Sequence, residues 1–139
     1  MILIRFLLLA IVSVNAHAAS IYLGGLSVHL SDPPSHIDEW NNDNYLLALE
    51  HNNFIGGAFL NSFEDVTYFG AYKVEALKFE YINVNLLLGV MYGYKEEDND
   101  FLNVNGWQPM IAPQIEFKTP YVRPSILFTG SALTLIVGY

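Results

Sequence analysis

The chain has no cysteine, so no disulfide staples it. It also has little positive charge: six Lys and Arg against fourteen Asp and Glu in 139 residues. Such an acidic chain offers no basic face to phosphates, which excludes nucleic acid as a partner. Charge of either sign is scarce at 14%, whereas apolar residues reach 53% and aromatics 14%. Beyond the first eighteen residues, no apolar run approaches the roughly 20 residues that a membrane helix needs. Zinc-ligand spacing, a phosphate-binding glycine loop and a G-x-S-x-G elbow are all missing, so no metal site or cofactor is expected. Heptads, internal repeats and low-complexity segments are missing too.

What is present begins with an export pattern. Met1 to Arg5 makes a short positive start, Phe6 to Val14 an apolar run, and Ala16-His17-Ala18 a small-x-small cleavage site. A signal peptide over residues 1–18 is expected, leaving one domain over residues 19–139. An exported, hydrophobic chain without disulfides or helical spans points to a membrane β-barrel, because only a closed sheet or a helix satisfies its backbone in lipid.

Period-two alternation predicts eight strands, near 21–30, 43–51, 54–62, 65–74, 80–94, 108–118, 120–129 and 131–139. The expected fold is all-β, an eight-stranded antiparallel up-and-down barrel of outer-membrane type. In the last strand Leu133, Leu135, Val137 and Tyr139 share one face, as a lipid-facing row closed by an aromatic would. The long connections, 31–42 and 95–107, follow strands one and five and so fall at one end, the outer end of a barrel. Asp32, Asp38, Glu39, Glu96, Glu97, Asp98 and Asp100 make that end acidic. Eight strands leave room for side chains or one slim ligand. Glycines inside strands, Gly25 and Gly57 among them, provide either barrel curvature or an acyl-sized slot.

In strand one, Leu23, Gly25, Ser27 and His29 share one face; Tyr22, Leu26, Val28 and Leu30 share the bulkier one, expected to meet lipid. His29 then points inward near the outer end. Strand parity brings Asn44, Asn61 and Ser62 to the same rim. A His beside a hydroxyl is the minimum for acyl transfer, and Asn amides can donate to a developing oxyanion. The expected catalytic residues are His29 as base, Ser62 as partner hydroxyl and Asn61. Asn44, Gly57 and Gly25 are the expected substrate contacts. The same residues also have an ordinary use, since Asn-Ser is a common turn pair and a lone strand His a common structural hydrogen-bonder. Glu50 points inward and needs a partner, for which Lys73 and Arg123 are the candidates.

The segment FIGGAFLNSFEDVTYFGAY resembles the part of the lipid A palmitoyltransferase (PagP-type) family where an apolar strand ends in Asp-Ser before an aromatic and a second Gly-rich strand. GWQPMIAPQIEF is similar to that family's late Pro-x-x-x-Pro strand, and SVHLSD would supply its early His. NNDNYLLALE also resembles the Asn-rich strand start of a broader set of small exported barrel proteins, some phage-encoded. The enzyme resemblance implies an outer-membrane barrel that moves a palmitoyl chain from a phospholipid to lipid A. His29 would match the family's His and Ser62 its Ser. The chain departs from the pattern at Asn61, where the family has Asp, and it lacks the family's N-terminal amphipathic helix.

Two functions follow as expectations. One is an outer-membrane lipid-modifying enzyme with membrane phospholipid and lipopolysaccharide as partners, acting as a monomer. The other is a non-catalytic small barrel that binds lipid or serves a structural or surface role. A soluble lipocalin-like barrel is a third architecture, disfavoured by the apolar outward rows.

Overall fold

A computed structural model describes residues 19–139; the expected signal peptide lies outside the described residues. Eight antiparallel strands close into a barrel in sequence order. They are β1 (Ala19–His29), β2 (Asp43–His51), β3 (Phe54–Leu60), β4 (Val66–Lys78), β5 (Ile82–Tyr92), β6 (Trp107–Phe117), β7 (Arg123–Thr129) and β8 (Ala132–Gly138). The expected count, order and fold class hold. Strand β4 runs four residues further than its alternation indicated, and β3 stops before Asn61.

Short connections gather at one end, at 52–53, 79–81 and 118–122, and the long ones, 30–42 and 93–106, at the other. The tightest is Asn52-Asn53, whose φ values of 50° and 66° are those of a mirror-image hairpin turn. Asparagine tolerates that left-handed backbone, which matches the twist of the flanking strands. The end bearing the long loops is called the upper end below.

The barrel is apolar outside and mixed inside. Leu47, Leu49, Val74, Leu88, Val90 and Leu135 stand exposed on its wall. Aromatics ring both ends of this wall. Tyr45, Tyr68, Tyr92, Trp107 and Phe128 lie above, and Phe54, Phe79, Tyr81, Tyr121 and Tyr139 below. The eleven residues of β5, at about 3.3 Å each and tilted by about 40°, give a wall about 28 Å tall.

The lower lumen is a polar floor. Lys73 Nζ donates to Glu50 Oε2 at 2.8 Å, so Lys73 is the partner Glu50 needed. Arg123 pairs instead with Glu116, at 3.9 Å, and donates to Ser20 Oγ. Tyr22 Oη donates to Glu116 Oε2 at 2.8 Å, and Asn85 Nδ2 to Gln114 Oε1 at 3.0 Å. Above them Leu46, Phe69, Leu87, Met110, Ala112 and Leu127 form an apolar upper lumen.

Tyr22 corrects one expectation: it is fully buried in the lumen rather than lipid-facing. The cause is a bulge at Gly24-Gly25, where the β1 register slips against both β2 and β8. The two glycines sit at φ 124° and 95°, backbone that a side chain would strain. One extra residue exchanges the faces below the bulge. Above it Gly25, Ser27 and His29 keep the inward parity expected of them, and Leu26 and Val28 the outward.

The wall also has a notch. Strand β6 pairs with β7 only at Gln114–Leu127, Ile115–Ile126 and Glu116–Ser125. Pro109 and Pro113 in upper β6 have no N–H to offer, and the β7–β8 hairpin turns at Gly130.

Candidate functional site

The upper end of β1 delivers His29 to the rim, beside the 61–65 turn. Its Nε2 lies 2.7 Å from Ser62 Oγ, and its Nδ1 lies 2.9 Å from Asn42 Oδ1. An amide oxygen can only accept, so Nδ1 carries the proton and donates to Asn42. Nε2 is then the lone-pair nitrogen, placed to accept the Ser62 O–H. The result is a Ser–His–Asn relay on one rim. Trp40 stacks on the His29 ring, with centroids 4.5 Å apart and planes 8° from parallel. Trp40 is itself held by its Nε1 donating to Ser31 O at 2.8 Å and by the edge of Phe63.

Asn61 and Ser62 divide the turn between them. Asn61 is fully buried, and every polar atom of its side chain serves the chain's own corner. Its Oδ1 accepts from the N–H groups of Phe63 (2.9 Å) and Asp65 (3.1 Å), and its Nδ2 donates to Thr67 Oγ1 (3.1 Å). This is an Asx turn, the arrangement that favours Asn at a chain reversal. It leaves the Ser62 side chain facing His29.

The run Asn41-Asn42-Asp43-Asn44 ties this corner to the barrel. Asn41 N donates to Ser62 O at 3.0 Å and Asn41 Nδ2 to Asn61 O at 3.0 Å. Asn44 Oδ1 accepts from Ser27 Oγ, and its Nδ2 donates to Leu60 O at 2.7 Å. Asn44 therefore braces β1, β2 and β3 at the rim, and its side chain also lines the cavity below.

That cavity occupies the upper lumen, with a volume of about 180 Å³. Ser62 and Tyr94 stand at its mouth; Leu46, Phe59, Phe69, Met91, Met110 and Leu127 line it. Pro109, Ile111, Thr129 and Gly130, which flank the notch between β6 and the β7–β8 hairpin, line it as well. Gly25 and Gly57 are not among its lining residues. A Cβ at Gly57 would lie 2.2 Å from Leu47 O, and one at Gly25 2.9 Å from Asn44 Cβ. Both glycines let neighbouring strands approach closely, which is the curvature reading of these positions.

Two rim residues carry shifted protonation. Burial pushes the Tyr94 phenol up to about 12, partly offset by the Ser62 hydroxyl and backbone beside it. Asp65 raises Lys95, whose Nζ lies 3.2 Å from Asp65 Oδ2. Lys95 is the one Lys or Arg of the upper loops, where the acids cluster. No group of three or more His, Cys, Asp or Glu placed to hold a metal occurs among the described residues.

Sequence parity reached His29, Ser62, Asn44 and Asn61 but missed Asn42, Trp40 and Tyr94. All three lie in loops, where alternation carries no information. A flag was available for the first two, since an Asn-rich stretch follows a Trp directly at the end of a long loop. No family model matches the chain, and no curated protein matches it.

Proposed function

We propose that the protein is an outer-membrane acyl-transfer enzyme that works on the ester of a membrane lipid. The observation that carries this reading is the 2.7 Å contact between His29 Nε2 and Ser62 Oγ at the mouth of an apolar cavity. The apolar wall with aromatics at both ends supports the membrane setting. A soluble barrel would present polar residues there.

In this mechanism an acyl chain enters the upper lumen through the notch and brings its ester carbonyl to the rim. Ser62 Oγ attacks the carbonyl carbon while His29 Nε2 takes the Ser62 proton. The tetrahedral intermediate collapses, the C–O bond to the lysolipid breaks, and His29 returns the proton to the departing oxygen. An acceptor hydroxyl then attacks the Ser62 ester while His29 removes its proton; the acyl C–Oγ bond breaks and His29 returns that proton to Oγ, restoring Ser62. Asn42 holds the ring and its tautomer. Asn42 is neutral, so the imidazolium formed in each half-reaction is stabilised instead by the face of Trp40. The resemblance to lipid A palmitoyltransferases favours phospholipid as donor and lipid A as acceptor.

The neutral Asn42 and the wholly structural use of Asn61 favour a second reading, a barrel that binds an acyl chain without chemistry. Mass spectra of lipid A and phospholipids separate the two. Cells would express wild type, His29→Ala or Ser62→Ala, each verified as a folded barrel in the membrane. The acyl-transfer reading expects an acyl mass change with wild type that both variants abolish. Identical spectra for all three would leave lipid binding.

A further inference from the structure

We infer that Tyr94 is a further catalytic residue: its phenol O–H and the backbone N–H of Ser62 together receive the carbonyl oxygen of the acyl ester. This rests on the acyl-transfer reading of Ser62.

Attack on an ester puts negative charge on the carbonyl oxygen, and catalysis needs donors aimed where that charge develops. At the rim the most obvious donors are engaged. Its cation, Lys95, is engaged by Asp65. The amide groups expected from sequence to serve are committed, Asn44 Nδ2 to Leu60 O and Asn61 Nδ2 to Thr67 Oγ1. Within the turn, the N–H groups of Asn61, Phe63, Glu64 and Asp65 are all taken by Asp65 O or by Asn61 oxygens. The Ser62 N–H is outside that set and lies beside the Tyr94 phenol.

Tyr94 is built into place. Gly93, at φ 139°, runs so close to β4 that a Cβ would lie 2.3 Å from Val66 O. This close passage brings the next residue over the cavity mouth. Asn103 Nδ2 holds the Tyr94 carbonyl at 3.0 Å, and the Phe63 ring meets the Tyr94 ring edge-on at 6.3 Å. Phe63, the residue after Ser62, thereby buttresses both Tyr94 and Trp40. A phenol buried at this mouth stays protonated throughout the physiological range, so it donates. In the attack the Ser62 Oγ–carbon bond forms and the carbonyl π pair moves onto oxygen, between the two donors. When the pair returns, the lysolipid oxygen leaves with the proton held by His29.

The test uses the full-length barrel in detergent micelles, with a p-nitrophenyl acyl ester and a fluorophosphonate that labels serine nucleophiles. Tyr94→Phe is expected to lower kcat by about 10²- to 10³-fold with KM within about twofold, and to slow Ser62 labelling in parallel. Tyr94→Trp keeps a ring and an N–H donor and is expected to recover part of the loss. It also serves if Tyr94→Phe fails to fold. Wild-type kcat and labelling in a folded Tyr94→Phe barrel, or a loss confined to KM, would overturn the inference while leaving Ser62 as nucleophile. A wild type that neither cleaves the ester nor takes the label at Ser62 would overturn the acyl-transfer reading and the inference together.

Discussion

Asn42 and Asn61 have opposite duties around one histidine. The Asn42 side chain bonds the His29 ring, its backbone carbonyl taking the Ser27 N–H, while the Asn61 side chain holds a turn together. Asn42→Ala is therefore expected to reduce kcat by roughly 10- to 100-fold with unchanged thermal stability, because only the ring's orientation is lost. Asn61→Ala is expected to cost stability first, by about 1–3 kcal/mol, because it orphans two backbone N–H groups at a buried corner. Ester turnover and heat-modifiability on gels, measured on both variants, check the pair. Equal stability losses would erase the distinction. His29 and Ser62 were legible in the sequence because both sit at or just past a strand end, where parity still holds. Asn42, Trp40 and Tyr94 were not, because a loop's path depends on contacts such as Asn41 N to Ser62 O that no periodicity encodes.

At the scale of the element, alternation succeeded wherever the strand was regular. Asn44, Leu46, Ala48 and Glu50 face the lumen on β2, and Leu133, Leu135 and Val137 face out on β8. It failed below Gly25, where the bulge turns Tyr22 inward to Glu116. The Gly24-Gly25 pair was the visible sign, since a doubled glycine inside a strand invites an extra residue. The strands also build the polar floor. Glu50 and Lys73 approach to 2.7 Å with side chains only 11% exposed. Lys73→Met would strand a buried carboxylate and is expected to destabilise the barrel by about 3–5 kcal/mol. Glu50→Leu/Lys73→Met together should recover most of that. Urea unfolding in lipid vesicles measures both, and a single variant as stable as wild type would show that the pair contributes nothing.

For the whole molecule, the decisive property is which solvent meets the wall. Leu47 lies mid-strand on β2, outward and 55% exposed. In a bilayer, Leu47→Arg is expected to cost about 2–4 kcal/mol, as a charge at the membrane midplane does. In water the same change would be neutral or favourable. Equilibrium folding into vesicles of defined thickness reads the difference, and an unaffected Leu47→Arg would remove the barrel from the membrane. The signs of this inversion, outward rows of Leu and Val on a chain with few charges, were legible from residue order alone. Which seam carries the shortest ladder was not, because pairing partners are not encoded in alternation.

The unequal seams have a consequence for assembly. A barrel is a ring of ladders, and both the length of a ladder and the chain separation of its strands matter. Strand β1 meets β8 through seven residue pairs, whereas β6 meets β7 through three. The β1–β8 joint unites the two ends of the chain and is expected to close last, whereas β6 and β7, neighbours in sequence, meet earlier in spite of their short ladder. Once the ring is complete, the short β6–β7 joint is expected to be the first to exchange its amide hydrogens.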